Sequence, residues 1–508
     1  MKFEKISVLS KDEIEQIHSA SMELISSVGI KIDAENARKI LGDLGAEVDN
    51  ETTFVKFPES LVKELLSKVP DSFRLHGPDG SFNFEVNTHS TKFATIGTPV
   101  KIYDPTHKHG VRKSLMEDTI KQIRMVDSLE NTVCSHIDVW PNDIPYLALH
   151  THCIYQWAKN TRKPYGLGCL GKVASQDMMD MASLIVGGDE ELIKNPRFVG
   201  FMNPTSPLHL PHLMTNGLAI FAKYKQPTIV APEALAGASA PVTLAGLLAQ
   251  TNAEIICGIV LAQAFNPGAP VFFGTVSASM DMRSGNSALG SIETGLITTG
   301  IAQLARHYNI PSRGVAGVTE SKCFDLQNGF ERLQTLMLAA QAGVNYITCA
   351  GTYESTLVEA LELLVIDDEL AGIVRRMQEG IIVNDDTIAI DVIKKIATST
   401  KKGVNFLGER HTAKYMKKEL YIPRLINRDR RTTWRKKGSK DIVALASEKV
   451  KQVLENYQPP EISEALEKQL LEFIKKVEAR TFEYYKEAEG ISAKSVSLPG
   501  TEITFEEK

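Results

Sequence analysis

The pattern of apolar positions along the chain changes twice, near residue 90 and near residue 380. Before residue 90, apolar residues follow helical spacing in three stretches: Lys11 to Gly29, Ala34 to Leu44, and the segment that begins at Pro58. Two alternating runs, SFRLHG and FNFEV, follow and predict paired strands. We therefore expect residues 1–90 to form a helical cap with a small sheet.

Between residues 91 and 380, short apolar runs alternate eight times with helical periods. The runs are KFATIG, VCSHIDVW, YGLGCLG, FVGFMN, PTIVAP, PVFFGTV, PSRGVAG and NYITCAG. Such alternation is typical of parallel βα units, and eight units in about 290 residues predict a (β/α)₈ TIM barrel of the α/β class. An open doubly wound sheet is the alternative.

The strand pattern stops at about residue 381. Residues 381–508 predict a helical extension, with an amphipathic helix at about residues 463–488. The extension also contains a basic patch around Trp434, formed by Arg424, Arg428, Arg430, Arg431, Arg435, Lys436, Lys437 and Lys440. Because runs of charge usually form solvated faces or interfaces, we expect a contact with an acidic partner or a sister subunit. We also expect a homo-oligomer.

Composition narrows the class of protein. The chain has 508 residues, 43% of them hydrophobic, and a formal net charge of -5. The acidic balance argues against a nucleic-acid partner. Six widely spaced cysteines without a CxxC pair predict neither a disulfide framework nor structural zinc. The N-terminus lacks the apolar core of a signal peptide, and no run reaches the roughly 18 apolar residues of a membrane span, so we expect a cytoplasmic protein without a membrane partner.

GLGCLG, with Gly166, Gly168 and Gly171, matches the GxGxxG pattern of dinucleotide sites. That fingerprint belongs to the first βαβ unit of its domain, and here it falls on the third. Glycines that let a strand bend, or let a bulky group approach closely, are the simpler interpretation.

Two histidine pairs invite comparison with metal sites. His150 and His152 are two residues apart and would point to different faces of a helix. His209 and His212 are better spaced, but no carboxylate or cysteine lies nearby in sequence to complete a ligand set. We therefore expect no metal site.

In a (β/α)₈ barrel the residues that follow the strands share one face, where barrel enzymes have their active sites. Here that face would carry four aromatic residues at or near strand ends, namely Trp140, Phe201, Phe273 and Tyr353, together with Thr98, Asn203, Glu233, Ser277, Val318, Glu320 and Glu354. Each aromatic residue taken singly is more often core packing. Together they could surround a quaternary ammonium, at about 0.5 to 2 kcal/mol per contact. The three glutamates would add charge of the right sign.

Several longer segments resemble the trimethylamine methyltransferase family in order and spacing. They are NPTSPLHL, SAPVTLAG, NAEIICGIVLAQ, PGAPVFFG, GSIETGL, PSRGVAGVTESK, AGTYESTLVEALELLVID and NRDRRTTWRKKGSKDIVALASEKV. The resemblance extends to about residue 480. It implies a (β/α)₈ barrel that transfers a methyl group from an amine to the cobalt of a corrinoid. The corrinoid (cobalamin) would be supplied by a cognate corrinoid protein, and this chain would bind none tightly.

The resemblance also gives meaning to Val318, because the trimethylamine-specific branch has pyrrolysine at the matching position. Its absence implies a substrate other than trimethylamine. The branch without pyrrolysine demethylates quaternary amines, and glycine betaine is our first expectation, with proline betaine, carnitine or another betaine as alternatives. A quaternary ammonium is permanently cationic and leaves as a neutral tertiary amine, so it needs no proton at the nitrogen.

These implications assign a role to each candidate residue. The four aromatic residues and Glu233 would hold the ammonium head, and Glu354, Val318 and Glu320 would stand at the catalytic position. Arg313 and Asn203 would bind a carboxylate, because Arg313 interrupts an otherwise apolar strand. The alternatives are a salt bridge at the outer end of the strand for Arg313 and a turn cap for Asn203. Two alternative functions stay open: methyl transfer to another acceptor such as tetrahydrofolate, and a non-catalytic quaternary-ammonium sensor.

Overall fold

A computed structural model describes residues 4–97, 99–137 and 139–491, and its centre is a closed barrel of eight parallel strands. The strands are β1 (Lys92–Ala94), β2 (Thr132–His136), β3 (Tyr165–Gly168), β4 (Phe198–Met202), β5 (Thr228–Val230), β6 (Val271–Gly274), β7 (Ser312–Val315) and β8 (Tyr346–Thr348). Neighbours in sequence pair in parallel, and the pair Tyr346 and Lys92 closes the ring. The predicted barrel is confirmed, and the alternative of an open sheet is wrong.

One main helix follows each strand. The helices are α1 (Met116–Ser128), α2 (Leu149–Asn160), α3 (Gly171–Val186), α4 (His212–Lys223), α5 (Leu244–Phe265), α6 (Ile292–His307), α7 (Leu326–Ala342) and α8 (Leu361–Glu379). A short helix, Asp189–Lys194, and a 3₁₀ turn, Tyr146–Ala148, lie in the connections.

Within the described part of the chain, α5 alone is long and apolar enough to cross a bilayer. It is instead a packed helix of the barrel, with 78% of its most apolar window buried. It contacts the N-terminal helix Lys11–Glu23 and the neighbouring helices α4 and α6. Its length and hydropathy are therefore those of a core helix.

The period-two alternation of a strand decides which side chains enter the barrel. In β7, Val315 belongs to the apolar cluster that fills the lumen. Gly314 faces outward, where an added Cβ would come within 2.6 Å of a Thr298 methyl carbon on α6. Arg313, one residue before Gly314, therefore points into the lumen.

The N-terminal cap contains the three predicted helices, Lys11–Glu23, Glu35–Asp43 and Glu59–Leu66, and the short strands Ile30–Ile32, Glu47–Val48 and Phe54–Lys56. The first helix continues as a π turn and ends at Gly29, whose φ of 83° suits glycine. Buried residues of the cap and of the barrel helices form one continuous core. The division into domains at residues 90 and 380 stays a prediction.

The predicted small sheet is the hairpin Ser72–His76 and Asn83–Asn87, and it closes the amino-terminal end of the barrel. The His76 backbone N donates to Pro196 O, just before β4, at 2.9 Å. Inside the lumen, the Phe73 ring meets Phe272 of β6 edge-on, with ring centres 5.1 Å apart. A ligand must therefore enter from the carboxyl-terminal end.

Two small sheets built from βα loops border that open end. One contains Leu235–Ala236, Ala278–Met280 and Ser287–Ala288, and the other contains Lys101–Tyr103, Val111–Lys113, Thr352–Tyr353 and Val358–Glu359. His209–Leu210 pairs with Ile30–Ile32 of the cap. The mouth of the barrel is thus built from ordered loops.

The C-terminal region is helical, as predicted. Its helices are Asp385–Ile388, Ile390–Ala397, Arg410–Glu419, Arg431–Lys436, Ile442–Asn456, Glu464–Glu478 and Phe482–Glu489, with a 3₁₀ turn at Phe406–Gly408. The prediction of a single helix at residues 463–488 is wrong, because this segment forms two helices, Glu464–Glu478 and Phe482–Glu489. The side chain of Thr481 accepts a bond from Tyr484 N and starts the second helix.

Candidate active site at the carboxyl end of the barrel

Arg313 occupies the centre of the lumen, at the level where the strands end. Its side chain is buried, with Nη1 donating to Thr275 O at 2.7 Å and Nη2 donating to Thr348 Oγ1 at 2.6 Å. Its guanidinium carbon lies 5.2 Å from the centre of the Phe201 ring. The alternative of a salt bridge at the outer end of the strand is wrong.

The charge of Arg313 is not neutralised by the described residues. None of them places a carboxylate within 4.0 Å of the guanidinium, and Nε has no hydrogen-bond partner among them. Burial lowers the pKa of Arg313 to about 10, so the group is cationic at neutral pH. A buried cation without a counter-charge is costly, so an anionic group of a ligand would fit here.

Glu233 brings the opposite charge to the mouth. It lies in the loop after β5, and the residue is exposed to solvent. Protein around the carboxylate raises its pKa by desolvation, while the positive charge of Arg313 opposes that rise. The two charges are thus close enough to interact without forming an ion pair, an arrangement that suits a zwitterionic ligand.

His136 lies next to this charge and was missed by the sequence reasoning. Its Nε2 is 2.9 Å from Tyr346 Oη, and burial, with the charge of Arg313, lowers its pKa to about 3. The ring fits because β3 has Gly166 opposite it, where a Cβ would lie 1.6 Å from His136 Nδ1. The glycine in GLGCLG therefore allows a close approach. The available signal was a histidine in the middle of the apolar run VCSHIDVW.

Val318 is part of the lumen. It is buried and belongs to the same apolar cluster as Val315, Ala278 and Leu289. The chain reaches it through Gly317, whose φ of 72° turns the backbone just after β7. The position therefore presents an aliphatic wall at the mouth.

Glu320 and Glu354 lie in two mouth loops that are tied together. Glu320 Oε2 accepts a bond from Gly290 N at 2.8 Å, and burial raises the pKa of this carboxyl. Ser355 Oγ lies 3.4 Å from Glu320 Oε1, and Glu354 N donates to Ser321 O at 3.2 Å. The structure therefore brings the two loops together, with the Glu320 carboxylate engaged by backbone.

The loop after β8 has an unusual backbone. Cys349, Glu354, Ser355 and Thr356 have φ values of 92°, 52°, 52° and 67°. Left-handed conformations are uncommon for residues other than glycine and cost about 1 to 3 kcal/mol each. Strain of this kind clusters at functional sites.

A buried ion pair holds that loop. Arg332 Nε donates to Asp367 Oδ1 at 3.0 Å, and Gly351 N donates to Asp367 Oδ2 at 2.7 Å. Arg332 Nη1 also donates to Thr352 O. The pair connects α7 and α8 to the strained segment and fixes its position.

Phe273 is a correction to the predicted aromatic cage. It is fully buried and stacks on Tyr308, with ring centres 5.5 Å apart, in the layer between the barrel and its helices. Its neighbour Phe272 is the residue that faces the lumen, where it packs against Tyr346. Strand alternation therefore directs Phe273 away from the mouth, and the expected contact with the substrate is wrong.

Tyr353 lies at the mouth but faces a different set of residues. It is buried in a small core with Val358 and Leu363, and its ring centre is 5.5 Å from that of Phe324. The structure therefore does not bring Tyr353 to Phe201.

Trp140 and Asn203 border a cleft of about 1250 Å³ beside the mouth, between the N-terminal cap and the helix Phe482–Glu489. The Trp140 ring lies 5.9 Å from that of Tyr146. Asn203 Nδ2 donates to Ala231 O at 2.8 Å, so it ties the ends of β4 and β5. Of the predicted cage, Phe201 alone contacts Arg313; Thr98 lies outside the described residues.

The histidines considered as metal ligands form other contacts. His150 Nε2 lies 3.1 Å from Asp177 Oδ2, and His209 Nε2 lies 2.7 Å from Asp33 Oδ2. Over residues 4–97, 99–137 and 139–491, no group of three or more His, Cys, Asp or Glu is arranged to hold a metal ion.

Comparisons with known proteins place this chain in a family. A family model described as trimethylamine methyltransferase (MTTB) matches residues 1–481. Over 473 residues the chain is 32% identical to the glycine betaine methyltransferase of Desulfitobacterium hafniense (strain Y51), covering 92% of this chain and 97% of that protein. It is 34% identical over 461 residues to trimethylamine methyltransferase MttB of Methanosarcina barkeri (strain Fusaro / DSM 804), covering 89% and 92%.

A solved structure supports the fold. The crystal structure of the Methanosarcina barkeri monomethylamine methyltransferase (MtmB) superposes with a TM-score of 0.50 at 13% identity, covering 88% of this chain and 89% of that one. At this identity the likeness concerns the fold alone. Because the family match spans nearly the whole chain, the protein belongs to the trimethylamine methyltransferase family.

Proposed function

We propose that this enzyme demethylates a betaine, with glycine betaine as the first candidate, and passes the methyl group to cob(I)alamin on a separate corrinoid protein. The observation that carries the proposal is Arg313, a buried cation without a described carboxylate partner, near Glu233 at the open end of the barrel. A zwitterionic ligand would bring its negative group to Arg313 and its positive group to Glu233. The relative named glycine betaine methyltransferase supports the same substrate class.

The fit of a betaine follows from the charges. Its carboxylate would accept from Arg313, and hydrogen bonds of this charged kind contribute about 1.5 to 3 kcal/mol each. Its ammonium would then lie toward Glu233 and the Phe201 ring, since a cation on an aromatic face gains about 0.5 to 2 kcal/mol. A quaternary ammonium without a carboxylate would meet the positive charge of Arg313 with no group to balance it. The site therefore favours betaines over choline-like cations.

The reaction breaks one methyl C–N bond. The electron pair of that bond stays on nitrogen, which leaves as a neutral tertiary amine, and the methyl group bonds to cobalt through the electron pair of cob(I)alamin. No proton moves to the nitrogen, so the neutral His136 imidazole is not required to act as an acid. The residues of this chain bind the substrate, orient one methyl group toward the mouth and exclude water.

Val318 supports a quaternary substrate. Its aliphatic side chain lies in the lumen cluster, where it can neither donate a proton nor form a bond to an amine. By resemblance, trimethylamine-specific relatives have pyrrolysine at this position. A substrate that carries its own positive charge does not need that residue.

The mouth also has the surface that a carrier protein would need. Eight large apolar side chains are exposed on its loops or on the first turns of the following helices: Leu115, Tyr146, Val242, Met282, Ile292, Leu326, Phe330 and Leu357. Exposed apolar groups concentrated on one face are typical of protein interfaces. A corrinoid protein docked here would bring its cobalt to the open end of the barrel.

The test is methyl transfer by the purified enzyme. Glycine betaine, proline betaine, carnitine and trimethylamine are each incubated with the enzyme and a reduced corrinoid protein, and the loss of the cob(I)alamin absorbance is followed. We expect a betaine to give the fastest rate. Transfer to tetrahydrofolate without any corrinoid would favour the alternative acceptor, and betaine binding without transfer to any acceptor would favour a sensor.

A further inference from the structure

Residues 381–420 form a projecting segment that packs very little against the rest of the chain, and we call it the arm. It contains the helices Asp385–Ile388, Ile390–Ala397 and Arg410–Glu419. Not one of its residues is buried. A segment of this length gains little stability from such packing, because helices in proteins are stabilised mainly by burial of an apolar face.

The two ends of the arm are fixed next to each other. Arg376 on α8 donates from Nη1 to Gly380 O at 2.9 Å, and from Nε and Nη2 to Glu419 O at 2.9 and 2.7 Å. Tyr421 Oη then donates to Glu369 O at 3.1 Å. The arm is therefore a closed projection with a defined base.

The base of the arm lies at the amino-terminal end of the barrel. Gln378 Nε2 on α8 donates to Thr91 Oγ1 at 3.0 Å, and Thr91 immediately precedes β1. The mouth with its substrate site is at the opposite end. A corrinoid protein docked at the mouth would thus be at the opposite end of the barrel from the base of the arm.

The arm exposes a large apolar surface. Eleven large apolar side chains are between 38% and 85% exposed: Ile381, Ile382, Val383, Ile388, Ile390, Ile393, Val404, Phe406, Leu407, Met416 and Leu420. Summed over the arm, their exposed area is on the order of 1,000 Å², and large exposed apolar surface is typical of interaction sites. A standard interface buries about 800 Å² per partner, so the arm alone offers enough area for a stable contact.

The charge of the arm is opposite to that of the protein. The arm has eight Lys and Arg against five Asp and Glu, whereas the whole chain has a net charge of -5. Two ion pairs within the arm, Lys395 with Glu409 and Lys414 with Asp386, connect its helices. The arm is thus a preformed, basic, apolar element whose charge complements the acidic remainder of another copy.

We infer that the arm docks on the body of a second copy of this chain. The partner is a copy because the base of the arm is at the end of the barrel opposite the mouth, and because the positive charge of the arm is matched by the negative body that each copy supplies. Cover from a second copy would bury the apolar side chains that the single chain leaves in water. The inference is independent of the substrate and of the methyl acceptor.

The test compares two double variants of the full chain by analytical ultracentrifugation over a concentration series. The arm variant is Leu407→Glu with Ile381→Glu, at positions 85% and 74% exposed. The control is Leu326→Glu with Val242→Glu, at mouth positions 88% and 65% exposed. All four side chains are largely in water in the single chain, so neither variant should impair folding.

We expect the unaltered protein to sediment as a dimer or larger assembly. The arm variant should raise the dissociation constant at least about 30-fold, and the control should leave it unchanged. Hydrogen exchange should show arm amides protected at high concentration and exposed on dilution. A single-chain mass for the unaltered protein, an arm variant that assembles normally, or single chains that bind anionic lipid vesicles through the arm would each overturn the inference.

Discussion

The guanidinium of Arg313 lies 5.2 Å from the ring centre of Phe201, inside the barrel and below its open end. The ring belongs to β4 and the arginine to β7, so the contact crosses the lumen. It places an aromatic face and a buried positive charge in one small volume, with Glu233 close enough to interact with that charge. A ligand with two opposite charges matches this volume better than a simple cation.

Replacing Phe201 should weaken substrate binding. Phe201→Leu removes an aromatic face near the proposed ammonium, so the Kd for glycine betaine should rise by about 2- to 30-fold. Phe273→Leu is the matched control, because Phe273 stacks on Tyr308 outside the lumen. It should lower the free energy of unfolding by about 1 kcal/mol with an unchanged Kd. Calorimetric titration with denaturant unfolding measures both, and equal Kd values for the two variants would contradict the site.

Betaine binding should depend on pH through Glu233. A carboxyl with a raised pKa is ionised only above that pKa, so attraction for the ammonium is present at neutral pH and is lost as pH falls through it. We expect the Kd of the unaltered enzyme to rise as the pH falls through this raised pKa, and therefore at a higher pH than for an ordinary glutamate, which titrates near about 4.3. Calorimetric titration at several pH values measures this dependence.

Two variants distinguish Glu233 from the other mouth carboxyl with a raised pKa. Glu233→Gln should weaken binding at pH 7 and remove the pH dependence. Glu320→Gln should retain the pH dependence of binding, because the Glu320 carboxylate accepts a hydrogen bond from Gly290 N. The reverse pattern would show that Glu320 faces the cation.

The strained loop offers a way to separate strain from chemistry. Glu354 and Ser355 have the same left-handed φ of 52°, so glycine at either position should raise the free energy of unfolding by up to about 1 kcal/mol. Glu354→Gly should also lower the rate of demethylation if its carboxylate acts on the substrate, whereas Ser355→Gly should not. Thermal unfolding and turnover measure the two effects. Equal turnover would remove Glu354 from the catalytic residues.

Val318→Lys tests the wall of the lumen. An ammonium at this buried apolar position should lower the free energy of unfolding by about 2 to 4 kcal/mol and should reduce demethylation. Val318→Ile retains the aliphatic character and should leave turnover within a few fold. A lysine variant with the full rate would show that the side chain does not face the substrate.

The fold was predictable because its signals are local. Each barrel strand is a short apolar run and each following helix has its own periodicity, so no knowledge of distant contacts was needed. Arg313 was identifiable for the same reason, since a charge in an apolar strand is visible in sequence. The helix break near residue 480 was not, because the apolar period continues through it and a threonine cap decides the boundary.

The site was less predictable because it depends on strand orientation and on pairs of distant residues. Phe272 and Phe273 are equivalent by composition, and only the inward or outward alternation of β6 separates them. Tyr353 lies at a strand end as expected, yet its loop directs the ring toward the small core that contains Val358 and Leu363. His136 enters the lumen because Gly166 on the next strand makes room, a relation that a single sequence does not display.

The most direct test of the central claim is the rate of methyl transfer from glycine betaine to cob(I)alamin, measured for the unaltered enzyme and for Arg313→Met with a cognate corrinoid protein. We expect transfer from glycine betaine, little from trimethylamine, and a loss of about 10- to 100-fold in kcat/KM for the variant, since about 1.5 to 3 kcal/mol of charged hydrogen bonding is removed. Transfer from trimethylamine at the higher rate, or full activity of Arg313→Met, would contradict a site built for a betaine.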